Sequence, residues 1–169
     1  MGAAPRQLLV VWHSFTGATQ AMVEAVAAGA HEAAGDALQV RSLRAAEAGA
    51  GDVLSADAVL FATPETLASM SGAMKDFFDR SYYPLLGRCD GKPYALLVCA
   101  GSDGQATIAQ LRRIALGLRL REVAEPLRVC TQAQTAEAIT AAKTLPAEQL
   151  ARGHELGALL GAGLELGIF

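Results

Sequence analysis

The chain predicts an α/β fold: a five-stranded parallel sheet with helices on both faces. Three observations predict it. Apolar runs of strand length alternate with stretches of helical period, which is the pattern of β-α-β units and right-handed crossovers. The runs are apolar at successive residues, as strands covered on both faces require. The first run also empties into a hydroxyl-rich turn and then directly into a helix. At 169 residues the expectation is one domain over residues 1–169, with no internal repeat and no second-domain boundary.

The first strand is the run Leu8-Leu9-Val10-Val11, and Val23, Val26, Ala27 and Ala30 mark the apolar face of the helix after it. Leu38 to Leu43 alternates apolar and polar, which fits a second strand at an edge. Ala45 to Ser55 reads as a loop with one helical turn. Ala56 to Ala62 is the third strand, ended by Thr63-Pro64 because proline cannot donate to the ladder. Helical order resumes near Ser71, with Met74, Phe77, Phe78 and Ser81 on one face and Lys75, Asp76 and Arg80 turned away. Tyr82 to Leu86 reads as an apolar loop and Asp90-Gly91-Lys92-Pro93 as a turn.

Tyr94 to Cys99 is the fourth strand. Ser102 and Gln105 have the spacing of a capping box, so a helix is expected there, with Leu111, Ile114, Ala115 and Leu118 as its stripe. The fifth strand falls within Arg121 to Val129, where Pro126 implies an edge position or a break. An alanine- and threonine-rich linker runs to Leu145. Pro146 then opens a last helix, Ala147 to about Glu165, that buries Leu150, Leu156, Leu159 and Leu160.

Composition narrows the function. Hydrophobic residues make up 52% of the chain and mean hydropathy is positive, yet no apolar run approaches a membrane span. The segment Met1-Gly2-Ala3-Ala4-Pro5-Arg6 has no signal-peptide layout, and Arg6 stands where a myristoylation motif wants Ser or Thr, so a cytoplasmic location is expected. Cys89, Cys99 and Cys130 are widely spaced and fit neither a zinc site nor a disulfide framework; Cys99 and Cys130 fall in or beside apolar runs and read as buried thiols. The basic residues form no stripe interleaved with aromatics, so nucleic acid is not an expected partner.

The first turn carries the chemistry. A helix that begins straight after a strand aims its first N–H groups, and the positive end of its dipole, at one point. Ser14, Thr16 and Thr19 place three hydroxyls around that point, while Gly17 lets the backbone approach closely. The turn contains no lysine or arginine, so a phosphate there would be held by oriented neutral donors. It is neither a Walker loop nor a dinucleotide fingerprint, since the required lysine and paired glycines are missing.

Ser14-Phe15-Thr16-Gly17-Ala18-Thr19 resembles the phosphate loop S/T-x-T-G-x-T of flavodoxin-like FMN proteins. Pro64-Glu65-Thr66-Leu67-Ala68-Ser69-Met70-Ser71-Gly72-Ala73-Met74-Lys75 resembles the flavin loop P-E-Y-N-G-S-x-P-G-x-L-K of the NAD(P)H-dependent FMN reductases. Matches stand at Pro64, Glu65, Ser69, Gly72 and Lys75, and Asp79 matches a downstream aspartate. Together the two motifs span most of residues 8 to 120. The resemblance implies a flavodoxin-like three-layer sandwich with strand order 2-1-3-4-5, whose binding crevice lies at the carboxyl ends of strands one, three and four. The loops expected there are His13–Thr19, Thr63–Gly72 and Ala100–Gln105. Expected cofactor-binding residues are Ser14, Phe15, Thr16, Gly17, Ala18 and Thr19; Thr63, Pro64, Glu65, Thr66, Leu67 and Ala68; and Ala100, Gly101, Ser102 and Gly104.

The departures from the family are Thr66 for tyrosine, Leu67 for asparagine and Ala68 for glycine. They imply lost aromatic and backbone contacts to the flavin, with Tyr82, Tyr83 or Met70 filling the gap, or the two tyrosines simply packing under a loop. Glu65 reads either as a charge in the crevice or as a surface carboxylate or cap. His13 reads as a satisfied packing residue. Arg112, Arg113, Arg119 and Arg121 read as a solvated helix face rather than a 2′-phosphate site.

The activity implied is that of an FMN-dependent oxidoreductase, with NADPH or NADH as electron donor and a quinone, free flavin or other small molecule as acceptor. The redox chemistry would belong to the cofactor, and no residue need act as nucleophile or general base. A flavodoxin-type electron carrier is the alternative. The net charge of −3 lacks the acidic excess by which such carriers steer onto basic partners. The apolar segment Tyr82–Leu86 further implies a homodimer.

Overall fold

The structure is a computed structural model and describes residues 4–169. The N-terminal reading on Met1 to Arg6 falls in part on residues 1–3, outside the described residues. Strand β1 (Arg6–Trp12) is followed by α1 (Ala18–Ala34), a short 3-10 turn (Gly35–Ala37) and β2 (Leu38–Arg44). Helix α2 (Ala50–Ser55) leads into β3 (Ala58–Thr66), which folds back as the two-residue β4 (Ser69–Met70). Then come α3 (Gly72–Leu85), β5 (Pro93–Ala100) and α4 (Gln105–Gly117). The chain ends with β6 (Arg121–Glu122), β7 (Leu127–Cys130), α5 (Ala136–Thr140) and α6 (Ala147–Glu165). Among the described residues no helix is long and apolar enough to cross a membrane.

The sheet runs β2-β1-β3-β5-β6, with β7 also paired to β5. Every pairing is parallel except the β3–β4 hairpin. This is the expected order 2-1-3-4-5, with the fifth strand broken into β6 and β7 on either side of Val123–Pro126. Successive side chains point to opposite faces, so one continuous apolar strand feeds two cores. Leu9, Val11, Val59, Phe61, Leu96 and Val98 pack under α2, α3 and α4. Leu8, Val10, Leu60, Ala62, Ala95 and Leu97 pack under α1 and α6. Phe61 is the hub of the first core, with the Phe78 ring centroid 4.9 Å away and that of Phe77 at 6.1 Å.

Several elements differ from expectation, each for a local reason. Strand β3 does not stop at Pro64. Its pairing with β1 ends at Ala62 while its pairing with β5 runs on to Pro64 opposite Cys99, so the proline sits where one edge is already open. Tyr82–Leu85 is the last turn of α3 rather than a loop. Pro84 costs that helix one hydrogen bond near its end, and Leu85 is buried while Tyr83 is 79% exposed. Leu159 is exposed rather than buried.

Leu156 and Leu160 are buried as expected, and beside them the buried side of α6 carries a glycine stripe, Gly153, Gly157 and Gly161. A Cβ on Gly157 would stand 1.9 Å from the Val26 carbonyl oxygen, and one on Gly161 would stand 2.7 Å from that of Ala30. The two helices therefore touch backbone to backbone. Helix α4 is not capped by Ser102. Its N-cap is Gly104, at φ 81° and without a side-chain cap of its own.

Candidate functional site

The carboxyl ends of β1, β3, β5 and β7 open onto one cavity of about 630 Å³, within the range of small-molecule sites. Its walls come from segments far apart in sequence, brought together because parallel strands put all their carboxyl ends on one side of the sheet.

The first wall is the turn between β1 and α1, represented by Ser14, Phe15, Thr16, Ala18 and Thr19. Gly17 is the N-cap of α1 at φ 96°, a conformation glycine adopts without steric cost. Its N–H donates to Ser14 Oγ over 3.1 Å, which curls the turn and leaves the Ser14 hydroxyl proton free to donate elsewhere. Thr19 is 1% exposed and its hydroxyl makes no hydrogen bond within the described residues. Its polar neighbour is the Cys99 thiol, a weak hydrogen-bonding group. A buried hydroxyl set against nothing stronger than a thiol, at the first turn of a helix, is a donor suited to an anion. Phe15 is 66% exposed and is met edge-on by His13, with ring centroids 4.5 Å apart.

His13 itself does not line the cavity. Its backbone N–H donates to the Ala62 carbonyl over 3.1 Å, and its Nδ1 is buried without a partner, so it packs but is not fully satisfied. Burial first, and the Arg44 guanidinium second, lower its pKa below the usual histidine value.

The second wall is the β3–β4 hairpin, through Pro64, Glu65, Thr66 and Leu67. Its strands pair Glu65 with Met70 and Thr66 with Ser69, which leaves Leu67 and Ala68 as a two-residue turn. Both have positive φ, 52° and 59°. That is the requirement of a type I′ turn, for which Asn-Gly is the favoured pair. The family's asparagine and glycine therefore correspond to a turn that this chain keeps with Leu-Ala, at the cost of two strained residues. Leu67 is 96% exposed at the tip. Ala68 and Thr63 do not line the cavity. The Thr63 hydroxyl donates to the Pro64 carbonyl over 3.0 Å and also meets Ser71 Oγ at 3.2 Å, so it braces the hairpin from behind.

Glu65 resolves as a cap. Its Oε1 accepts from Gly104 N–H over 3.1 Å and its Oε2 from Thr107 Oγ1–H over 2.8 Å. A carboxylate from β3 thus closes the N-terminus of α4, where the dipole favours negative charge.

The third wall is Ala100 and Gly101 at the end of β5, with Cys99 behind them. Ser102 and Gly104 lie beyond the cavity, on the way to α4. Burial pushes the Cys99 thiol up to about 12, so it stays protonated. A fourth wall, Thr131, Ala133, Ile139, Thr140 and Lys143, was not foreseen. Its signal was available: β7 lies beside β5, so the segment after Cys130 must emerge on the same side of the sheet.

Two of the four arginines are paired elsewhere. Arg112 pairs with Glu122 at 2.6 Å and Arg119 with Asp90 at 3.3 Å, and none of the four arginines lines the cavity. Met70 is buried in the core. Tyr82 and Tyr83, on α3, lie outside the cavity, so within one copy of the chain they do not replace the family tyrosine.

Comparison with known proteins bears on the same residues. A flavodoxin of Aquifex aeolicus (strain VF5) is 38% identical over 97 residues, 57% of this chain and 49% of that protein. The chain thus matches about half the length of this relative. A flavodoxin from the domain Archaea superimposes with a TM-score of 0.76 at 17% identity, over 94% of this chain and 99% of that one. A WrbA-like flavodoxin from Agrobacterium tumefaciens does so with a TM-score of 0.69 at 21% identity, over 96% of each chain. At such identities the structural likenesses establish the flavodoxin-like fold. The family model for NADPH-dependent FMN reductases matches residues 44–135, which takes in the hairpin wall, the β5 wall and the start of the fourth. With more than half its length covered by that model and the matching fold around the cavity, the chain belongs to the NADPH-dependent FMN reductase family.

Proposed function

We propose that this protein binds FMN in the cavity and acts as an oxidoreductase that takes electrons from NADPH or NADH and delivers them to a quinone, a free flavin or another small acceptor. The observation that carries the reading is a hydroxyl-rich helix N-terminus, with the unpartnered Thr19 hydroxyl, at one wall of a cavity otherwise bounded mainly by apolar groups. That combination suits a flat apolar ring system bearing a phosphate. Bound FMN would supply the hydride chemistry.

The residues of the chain do the rest. Ser14, Thr16, Thr19 and the first N–H groups of α1 would hold the phosphate. Pro64, Thr66, Leu67, Ala100 and Gly101 would bound the ring, and Phe15 offers an aromatic face in the cavity lining. Glu65 is committed to α4 and Cys99 remains a neutral thiol, so neither offers an acid or base for the reaction. In the same reading the exposed Tyr82, Tyr83 and Leu86 on and after α3 pair two copies of the chain. The experiment is anaerobic addition of NADPH and of NADH to FMN-loaded protein. Bleaching of the flavin absorbance by either is the expected result. Bleaching by neither, in protein that holds FMN, returns the flavodoxin-type carrier to first place.

A further inference from the structure

We infer that Lys143 is the cation of the phosphate end of this cavity, supplied from beyond β7 to a loop that has no basic residue of its own. The inference rests on the reading that the cavity takes a phosphate-bearing ligand, and adds a residue to it.

Four observations carry it. Lys143 lines the cavity together with Ser14, Thr16 and Thr19. Its backbone is stitched to the same loop, since its N–H donates to the Thr16 carbonyl over 2.7 Å and its own carbonyl oxygen lies 3.9 Å from where a Cβ on Gly17 would stand. Its ammonium is held in place by neutral groups: Nζ donates to the Ile139 carbonyl over 2.9 Å and to that of Ala141 over 2.5 Å. Among the described residues no carboxylate partners it. The fourth observation is the sealed Thr19 hydroxyl without a partner, which independently marks the same loop as a place for an anion.

The physical argument follows from charge. A phosphate monoester carries about −1.5 to −2 at pH 7, and oriented neutral dipoles alone would have to hold it. Among the described residues, the only other ionisable carboxylate or amine lining the cavity is Glu65, whose charge is spent on α4. Lys143 has three donors and two are taken by carbonyls, which fix the ammonium without neutralising it and leave the third donor free. A lysine acts on phosphate as a point charge. Its effect should therefore fall on the phosphate of a ligand, not on its ring.

The test compares ligands that differ only in that phosphate. Calorimetric titration with FMN, riboflavin and inorganic phosphate is run on the wild-type protein, Lys143→Met and Lys143→Arg, with unfolding midpoints measured alongside. Lys143→Met should weaken FMN about tenfold and leave riboflavin within about twofold, and Lys143→Arg should restore most of the loss. Equal weakening of FMN and riboflavin would mean that the lysine only props up α5, and would overturn the inference while leaving FMN binding intact. Wild-type protein that binds inorganic phosphate through Lys143 but takes no FMN would keep the inference and sink the cofactor reading. Binding of neither phosphate nor FMN would end both. Should Lys143→Met fail to fold, Lys143→Gln is read in the same way: FMN weakened with riboflavin unchanged supports the inference, and FMN unchanged, or both weakened equally, overturns it.

Discussion

Thr107 Oγ1 donates to Glu65 Oε2 over 2.8 Å, so the hairpin wall of the cavity is tied directly to the helix behind the β5 wall. Thr107 is fully buried, and Gly104 N–H is bound to the other oxygen of the same carboxylate. The consequence is structural and functional at once. Helix α4 has no side-chain cap from its own loop, so the Glu65 carboxylate closes its N-terminus, while Gln110 further along α4 accepts from Ser69 Oγ and Met70 N–H of the same hairpin.

Glu65→Ala leaves a buried hydroxyl and a helix-terminal N–H without their acceptor. A loss of about 2 kcal/mol is expected, the sum of a cap and a charge-assisted bond shared over one group. Glu65→Gln keeps one acceptor oxygen and should lose about half of that. Urea unfolding of the three proteins reads the difference. Unchanged midpoints would mean that the carboxylate is free for the ligand after all.

The turn at Leu67 and Ala68 makes the opposite forecast. Leu67→Asn with Ala68→Gly puts the favoured type I′ pair into a backbone that already has both residues at positive φ. Relief of about 1–2 kcal/mol is expected, which for a chain of this size raises the unfolding midpoint by a few degrees. A lower midpoint in differential scanning calorimetry would show that the exposed Leu67 side chain stabilises something the turn geometry does not reveal.

These two sites also show what could be read in advance. The β1 turn, the order of the sheet and three of the four cavity walls were legible, because apolar runs, helical stripes and hydroxyls at the end of a strand act through neighbours in sequence. The hairpin was not, since Leu67-Ala68 carries no turn signal and Pro64 suggests an end to β3; pairing to β5 overrides both. The role of Glu65 depends on Thr107, which no local pattern links to it. Gly153, Gly157 and Gly161 were readable as a stripe at spacing four, but only the packing of α1 says which face they serve. Lys143 reaches the cavity by the parallel register of β5 and β7, a contact with no trace in its own segment.

Thr19→Val should separate stability from binding. The hydroxyl is buried without a hydrogen bond, so replacing it by a methyl of similar shape removes an unsatisfied polar group. The ligand-free protein should become slightly more stable, while FMN affinity falls about tenfold or more for the loss of a donor to a charged group. Thr16→Ala should weaken FMN similarly without the gain in stability. Titration and thermal unfolding of the same preparations check both halves. An unchanged FMN affinity in both variants removes this loop from the site.

Stability should fall on the alkaline side, and Cys99 should be one cause. Its thiol titrates near 9.0 when exposed and is pushed up to about 12 by burial in the fold. Between those values the unfolded chain has lost the proton that the folded chain retains. The group's stabilising contribution is therefore complete below pH 9 and is lost as pH rises toward 12, at up to about 1.4 kcal/mol per pH unit. Burial raises Cys89 and Tyr94 in the same direction. Cys99→Ala should flatten part of this limb in urea midpoints measured from pH 8 to 11. An identical slope in the variant would mean that the other buried acids carry the whole effect.

The last prediction concerns the α1–α6 seam that closes the second core. A methyl group on Gly157 would fall 1.9 Å from the Val26 carbonyl oxygen and 2.9 Å from the Ala30 nitrogen. Both are backbone atoms of α1, which cannot rotate away as a side chain could. Gly157→Ala must therefore push the two helices apart along their whole contact, exposing Leu156 and Leu160, and a loss of about 3 kcal/mol or more is expected. Gly51 lies within α2, with nothing within 4 Å of an added Cβ. There the same substitution meets only the helical preference of alanine, and a gain of about 0.5–1 kcal/mol is expected. Because α1 begins at the phosphate loop, the seam variant should also loosen FMN, whereas Gly51→Ala should leave it alone. Urea midpoints that move in the same direction for the two variants would show that the helices are not in backbone contact.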